Sequence, residues 1–358
     1  MTSVRRGSPD TVLIVEQNPT GHRLFYVRVL AEAALAAGAR VVVLLGPDPA
    51  PAAEQVHLAS VIDQVELLRR PLMSHDDVAR LSHQVEAHRV VIPDADRFAL
   101  RLAVRRGWAG SGRLSLLIMR ESAQPTGSPV ADGLKTRLRT IAFRRVARLR
   151  NVDLRVLKSA GWVGTARFPV AVDPVVITSS DRSVEQFRAE HQMDGERYWF
   201  AVLGAISARK NLGLIVDALQ DVRSPWGLLV AGQLDEDISE ELRVRLRSMA
   251  SAGSAVVVDR LLTDDELDTA VRAADCLVLA HSNEGPSGLL GKAAASGTRV
   301  VAAGAESLRH DVSALGGLGD WAPLDEGALA ALLHRATRQP RPRAVLPATT
   351  SAFTDALL

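Results

Sequence analysis

The segment His281-Ser-Asn-Glu-Gly-Pro-Ser-Gly-Leu-Leu-Gly-Lys292-Ala-Ala-Ala-Ser-Gly297-Thr-Arg-Val-Val301 constrains the fold more than any other part of this chain. The apolar run Asp275 to Ala280 delivers it, a glycine-rich turn follows, a helix opens at the turn, and Thr298 to Ala302 is the next apolar run. Strand, loop, helix, strand in that order is a βαβ unit, which requires a parallel sheet. The turn is also a seat for an anion. Backbone N–H groups around Pro286, Ser287, Gly288, Leu289 and Leu290 lack helical partners, and Gly285 and Gly288 let a ligand approach the main chain, so a phosphate or diphosphate fits there. Many α/β proteins use such a turn for packing alone, so its surroundings decide its value.

Upstream, Tyr198-Trp-Phe-Ala-Val-Leu-Gly204 reads as a second strand ending in glycine, followed by Arg209-Lys210-Asn211. An anion held at a helix N-terminus needs such counter-charge from the facing side. Lysine occurs only at 135, 158, 210 and 292, so two of the four fall in the two candidate phosphate segments. The plainer reading makes Arg209 and Lys210 a solvated cap after a strand.

Both halves alternate apolar runs with helical stretches. Thr11 to Glu16, Arg40 to Leu45, Gln64 to Leu68, Arg89 to Ile92, Leu114 to Met119 and Leu154 to Leu157 read as strands buried on both faces, and Gly21 to Ala37, Ser74 to His88, Asp96 to Gly107 and Gly133 to Leu149 as helices between them. A parallel sheet covered by helices follows. Prolines and a polar cluster from Phe168 to Arg182 interrupt both periods and mark a linker. With 358 residues the chain suits two domains, 1–172 and 173–340, with a tail, 341–358, ending in a short helix from Thr350.

The C-terminal half resembles the nucleotide-sugar-binding half of GT-B glycosyltransferases, in particular the retaining family-4 group. The matching segments are Gly204-x4-Arg209-Lys210-Asn211, Gly227 to Gly232, Leu262-Thr-Asp-Asp-Glu-Leu267 with Ala273-Ala-Asp275, and Glu284-Gly285 with Ala293-x3-Gly297. Asn18-Pro-Thr-Gly21-His22 matches more loosely in the N-terminal half. The resemblance implies two Rossmann-like α/β domains facing across a cleft, with a terminal helix crossing back onto the first. It implies a nucleotide-diphosphate sugar as donor, transfer to a hydroxyl or amine of a small-molecule or lipid-linked acceptor with retention, and no metal or other cofactor.

On that resemblance Arg209, Lys210 and the helix N-terminus near Ser287 would stabilise the departing diphosphate, with Gly21, Gly204 and Gly285 to Leu289 around the donor. Glu284 matches the first acid of the family's paired-glutamate motif, a contact to donor hydroxyls; as a plain sequence feature it is a turn residue before Gly-Pro. Seven positions on, where the family has a ribose-binding glutamate, stands Lys292. A lysine donates and cannot replace an accepting carboxylate. Lys292 therefore contacts a phosphate, or another acid holds the ribose, or ordinary donor binding is lost. His22, Asp94, Arg120 and Glu121 are acceptor-side candidates; Arg120 and Glu121 stand near where relatives carry a histidine. Asp94-Ala-Asp96 is read as an acceptor loop or as helix capping by either aspartate rather than as a metal pair.

Other function classes recede. A formal net charge of +2 does not demand nucleic acid. The single cysteine, Cys276, falls in an apolar run, which excludes a disulfide framework and points to a reducing, cytoplasmic setting; the Ala, Arg and Val bias points to a GC-rich bacterial genome. Histidines 57, 75, 83, 88, 191, 310 and 334 show no ligand spacing and read as surface or boundary residues. Gly133 to Arg150 carries seven cations and no acid among apolar residues, so this helix either touches an anionic membrane peripherally or shows water an arginine-rich face. The rival functions are a nucleotide-sugar 2-epimerase and a non-catalytic GT-B binding or activator protein; a dehydrogenase lacks its three-glycine fingerprint here.

Overall fold

The computed structural model describes residues 10–19, 22–47, 56–71, 74–122 and 129–358. Gly21 lies outside the described residues, as does the side chain of His22. The chain divides into two units: Met1–Lys158 with Thr165–Ala171 and Ser351–Leu358, and Ser159–Gly164 with Val172–Thr350.

The first unit is built on β1 (Thr11–Glu16), α1 (His22–Ala36), β2 (Arg40–Leu45), β3 (Glu66–Arg69), α2 (His75–Gln84), β4 (Ala87–Ile92), α3 (Asp96–Leu102), β5 (Arg113–Ile118), α4 (Pro129–Val146), β6 (Val152–Lys158) and β7 (Val170–Val172). The strand order is β3-β2-β1-β4-β5-β6-β7, with parallel pairing from β3 across to β6. Fully apolar strands need cover on both faces, and Leu13, Val15, Val90, Ile92 and Leu116 pack with Phe98, Phe143 and Val146 from the helices. The helix expected over Ser74 to His88 opens on a capping box, Ser74 with Asp77, but stops at Gln84. Glu86 there takes φ 53 and turns the chain straight into β4. His75 is buried rather than at a boundary: it stacks on Phe98 at 4.0 Å and its Nε2 pairs with the Phe98 carbonyl oxygen at 3.0 Å. His57 is buried too.

The second unit runs α5 (Asp181–Glu190), β8 (Tyr198–Leu203), α6 (Leu212–Leu219), β9 (Trp226–Ala231), α7 (Glu240–Ser251), β10 (Ala255–Val258), α8 (Asp264–Ala273), β11 (Cys276–His281), α9 (Gly288–Ser296), β12 (Arg299–Gly304), α10 (Glu306–Ala314), β13 (Gly319–Ala322) and α11 (Glu326–Ala336). Its order, β10-β9-β8-β11-β12-β13, all parallel, is the doubly wound Rossmann order. Period-2 alternation splits each strand between two cores. Phe200 and Val202 meet α6 and α11 on one face, and Trp199, Ala201 and Leu203 join the α8, α9 and α10 side on the other. Cys276 is fully buried in β11.

The chain makes one short excursion before it crosses between Ala171 and Val172. Residues 159–164 belong to the second unit, whereas Phe168 and Val170 still pack on the first core. The tail also divides. Val345 N donates to Ala294 O and keeps 341–350 with the second unit, while α12 (Ser351–Leu357) joins the first, where Phe353 stacks on Tyr26 at 5.1 Å.

Candidate active site at the switch point of the second sheet

A doubly wound sheet opens a crevice at the carboxyl ends of the two strands where its order reverses. In the second unit these are β8 and β11, and the segments singled out in the sequence follow them directly. After β8, Gly204 turns at φ +81, and its N–H donates to Ala231 O. A short 3-10 turn, Ala208–Lys210, then leads to Asn211, which takes the left-handed conformation at φ 49. Asn211 Nδ2 donates to Ala280 O at 2.9 Å, and Ser282 N donates to Arg209 O at 3.0 Å. The cation pair is thereby bolted to the end of β11. Asp237 fixes the other side by accepting from Ala208 N at 3.0 Å.

The two cations differ in environment. Arg209 is exposed, and its Nη1 lies 3.4 Å from Asn283 Oδ1. Lys210 is buried, and its ammonium donates to the Leu203 carbonyl oxygen. Burial first and the Arg209 charge second push Lys210 down to about 7. Its Nζ comes to the glycine turn: a Cβ at Gly204 would stand 3.5 Å from Lys210 Nζ and 4.0 Å from Leu289 Cδ1 of α9. Lys210 Nζ and the side chain of Leu289, in the first turn of α9, therefore border the same space, which the absent side chain of Gly204 leaves open.

Five other helices have side-chain caps, from Ser180, Ser239, Thr263 and Asp325 in this unit and Ser74 in the first. Ser287 occupies the N-cap of α9 without a side-chain cap bond. After Pro286, residues Ser287, Gly288 and Leu289 thus open α9 without a side-chain cap, and this helix end carries partial positive charge.

Glu284 acts locally as a cap. Its two carboxylate oxygens accept from Glu306 N at 2.8 Å and Ser307 N at 2.9 Å, at the start of α10, and Ser307 Oγ bridges back to the Gly285 backbone. The carboxylate is held in one orientation at an exposed position, and an ionised carboxyl group has capacity for about four hydrogen bonds. More than a simple turn residue, it ties the loop to the next helix.

Lys292 is the main correction among the donor-site residues. Its ammonium pairs with Asp268 and donates to Val176 O at 2.8 Å, with the two side chains 8% and 0% exposed. Asp268 also accepts from Thr178 N at 2.9 Å. Burial pushes the Asp268 carboxyl upward, against the pull of Lys292 and Thr178. Lys292 joins α9, α8 and the 175–178 segment inside the protein and does not turn to the glycine loop.

His281, the last residue of β11, is the residue the sequence reading passed over. Its Nε2 is buried and has no hydrogen-bond partner among the described residues. Burial first, then Lys210 and Arg209, push it down to about 3, so the imidazole is neutral. The signal available in the sequence was its position, a polar residue ending an apolar strand just before the loop.

The first unit has its own switch point between β1 and β4. Asp94 follows β4 and pairs with Arg23 of α1 at 2.6 Å. Neither Asp94 nor Asp96 caps α3, whose N-cap is Ala95. Asp96 instead accepts from Met119 N at 2.9 Å and pairs with Arg139 at 2.7 Å, so it braces β5 and α4. Arg120 accepts from Arg139 through its backbone carbonyl. Glu121 is half-buried against Lys158 at 3.5 Å and Arg167 N at 3.3 Å. Glu16, absent from the sequence-based site, ends β1 as a buried carboxyl whose Oε2 has no partner among the described residues. Burial, reinforced by Asp94 and opposed by Asn18 N–H and Arg23, pushes it up to about 8.

Comparison with known proteins bears on the same region. Residues 197–335, from just before β8 through nearly all of α11, match the family described as glycosyl transferases group 1. No curated protein matches the chain in sequence. Among solved structures, HepE of Anabaena in complex with UDP is similar with a TM-score of 0.68 at 14% identity, over 97% of this chain and 94% of that one. HepE is also known in complex with UDP-glucose. Sucrose-phosphate synthase from Thermosynechococcus elongatus has a TM-score of 0.63 at 15% identity, over 97% and 94%. A glycosyltransferase from Rickettsia africae has 0.62 at 11%, over 97% and 93%. The chain has the fold of these proteins, two Rossmann-like units in one chain.

Proposed function

We propose that this protein is a glycosyltransferase that takes a sugar from a nucleotide-diphosphate sugar, bound by the second unit, and places it on a hydroxyl or amine acceptor recognised mainly by the first. The observation that carries this reading is the open space at Gly204, bordered by Lys210 Nζ and by Leu289 in the uncapped first turn of α9, at the switch point of the second sheet. The family match over this unit and the UDP and UDP-glucose complexes of HepE support a nucleotide sugar as the ligand.

In the reaction the bond from the anomeric carbon to the diphosphate oxygen breaks and its electron pair stays on the diphosphate. The acceptor oxygen or nitrogen bonds to the same carbon and passes its proton to the departing diphosphate oxygen. Negative charge grows on the diphosphate, and lowering the barrier is assigned to Lys210, Arg209 and the α9 N–H groups as donors to it. Protein dipoles fixed by the bonds of Asn211 and Ser282 need little reorganisation to do this. Glu284, held by the α10 backbone, is assigned to the donor sugar hydroxyls. Retention at the anomeric carbon is proposed from the family likeness, with the acceptor approaching from the leaving-group side and no enzymatic base needed. Acceptor recognition is assigned to the end of β1 and β4, where Glu16, Arg23 and Asp94 cluster.

Calorimetric titration with UDP-, dTDP- and GDP-sugars tests this directly. One of them should bind in the micromolar range, and Lys210→Met should weaken it about 10- to 100-fold, as expected for loss of a charge-assisted contact. Absence of binding to the whole panel would refute the reading and leave a non-catalytic protein. Conversion of the donor without an acceptor would identify an epimerase.

A further inference from the structure

The outer face of α4 carries chemistry that donor binding does not use. The structure divides the apolar residues of this helix in two. Phe143 and Val146 are buried in the first core, but Val130, Leu134, Leu138 and Ile141 are 84, 59, 59 and 62% exposed. Their spacing of four, four and three positions lines them up as one stripe on the side opposite Phe143 and Val146. Six cations, Lys135, Arg137, Arg144, Arg145, Arg148 and Arg150, are exposed along the helix and its extension. The seventh, Arg139, turns inward to Asp96 and lies over the Phe143 ring. Asp132 stands in the first turn of the helix, and no acidic residue occurs between Gly133 and Arg150.

An ordinary surface helix hides its aliphatic side chains and shows polar ones to water. This helix buries a normal core stripe and also shows water a second one. Single exposed aliphatic side chains need no explanation, but four on one stripe form a surface with a use. The neighbouring helix α3, packed against α4, runs out into Arg105 and Arg106 after Val104, which is 83% exposed.

We propose that α4 docks flat on an anionic lipid bilayer, with Val130, Leu134, Leu138 and Ile141 at the acyl boundary and the six cations among the headgroup phosphates. Charge complementarity selects this occupant. The cations are of one sign on long flexible arms, which suits a continuous anionic sheet. Eighteen helical residues give a rod about 27 Å long, lying in the plane, and no helix among the described residues is long and apolar enough to cross a membrane. The proposal goes beyond the donor site and does not depend on it.

The test uses the full chain without any nucleotide, co-sedimented with phosphatidylcholine vesicles that either contain or lack phosphatidylglycerol. Binding is expected only to the anionic vesicles, and it should weaken as salt rises. Arg144→Gln and Arg145→Gln should each lower the partition about fivefold. The triple variant Leu134→Ser, Leu138→Ser, Ile141→Ser should abolish it with the thermal melt unchanged, because these side chains lie outside the core. No binding to anionic vesicles, equal binding to neutral ones, or unaltered binding by the triple variant would each overturn the proposal. A dimer that the triple variant dissolves, with no vesicle binding by the wild type, would overturn it in favour of a self-interface.

Discussion

Seating a diphosphate beside Lys210 should draw a proton from solution. The free ammonium is buried against the Leu203 carbonyl with Arg209 nearby, and its pKa is about 7. At pH 8 only about a tenth of the molecules carry that proton. Two negative charges arriving at Gly204 favour the charged form, so binding at pH 8 should take up about 0.9 proton, against about 0.1 at pH 6. The same protonation costs about 1.4 kcal/mol at pH 8, which makes donor affinity about tenfold weaker there than at pH 6. A nucleotide sugar is the right probe, because its diphosphate is esterified at both ends and keeps its charge across this range. His281 does not blur the measurement, since a pKa of about 3 would have to climb several units to contribute. Calorimetry at pH 8 in two buffers of different ionisation enthalpy reads the proton count, and Lys210→Met should bring it close to zero. A donor that binds wild type with equal affinity at both pH values, or without proton uptake at pH 8, would show that Lys210 does not face the diphosphate.

The buried pair predicts that Lys292→Met costs about 3–5 kcal/mol, read by urea denaturation, because Asp268 is left charged inside the protein. Adding Asp268→Asn should recover most of that loss, and Lys292→Glu, which puts a second carboxylate beside Asp268, should be the least stable of the three. Glu16 holds a proton in the folded state up to about pH 8 that the unfolded chain releases near 4.5. Its contribution to stability is therefore greatest below pH 4.5 and declines by about 1.4 kcal/mol per pH unit up to pH 8, then levels off. Glu16→Gln should lose this slope, so the difference between the two proteins' stabilities, read from urea denaturation, should change by about 1.4 kcal/mol per pH unit over pH 5–8, and identical slopes would count against a neutral Glu16. At Gly232, φ is +132 and a methyl group would stand 2.1 Å from Gly204 O, so Gly232→Ala should cost roughly 2–3 kcal/mol and weaken donor binding by displacing the turn. Gly213→Ala in α6, whose new methyl meets only Leu242 Cδ2 at 3.9 Å, is the matched control and should be neutral or slightly stabilising.

The fold was legible where the apolar period was strong. Strands such as β1, β2 and β11 are continuous buried runs, and their period survives any detail of packing. Boundaries were less so where a side chain or a tertiary contact decided them. Nothing in the periodicity of α2 announces that Glu86 will take a left-handed turn. The short excursion of residues 159–164 into the second unit, before Phe168 and Val170 pack on the first core, leaves no mark in the periodicity.

The candidate site shows the same division at the level of single charges. Gly204, Arg209, Lys210 and the 285–289 loop came together because strand ends in a doubly wound sheet are adjacent by topology, and topology follows from the order of elements. Where a long side chain points is set by what lies within its reach, and that depends on residues distant in sequence. Lys292 and Lys210 look alike in the sequence, each a lone lysine close to a glycine-rich turn. One reaches Asp268, 24 positions away, and is neutralised inside the protein. Among the described residues the other donates to the Leu203 carbonyl and has a like charge, Arg209, nearby, and burial pushes its pKa down to about 7. An ammonium already matched by a carboxylate gains little from an incoming anion, whereas one held against a neutral carbonyl beside a like charge gains a great deal. Of the two lysines it is therefore Lys210, the one with no carboxylate partner among the described residues, whose protonation a diphosphate can change.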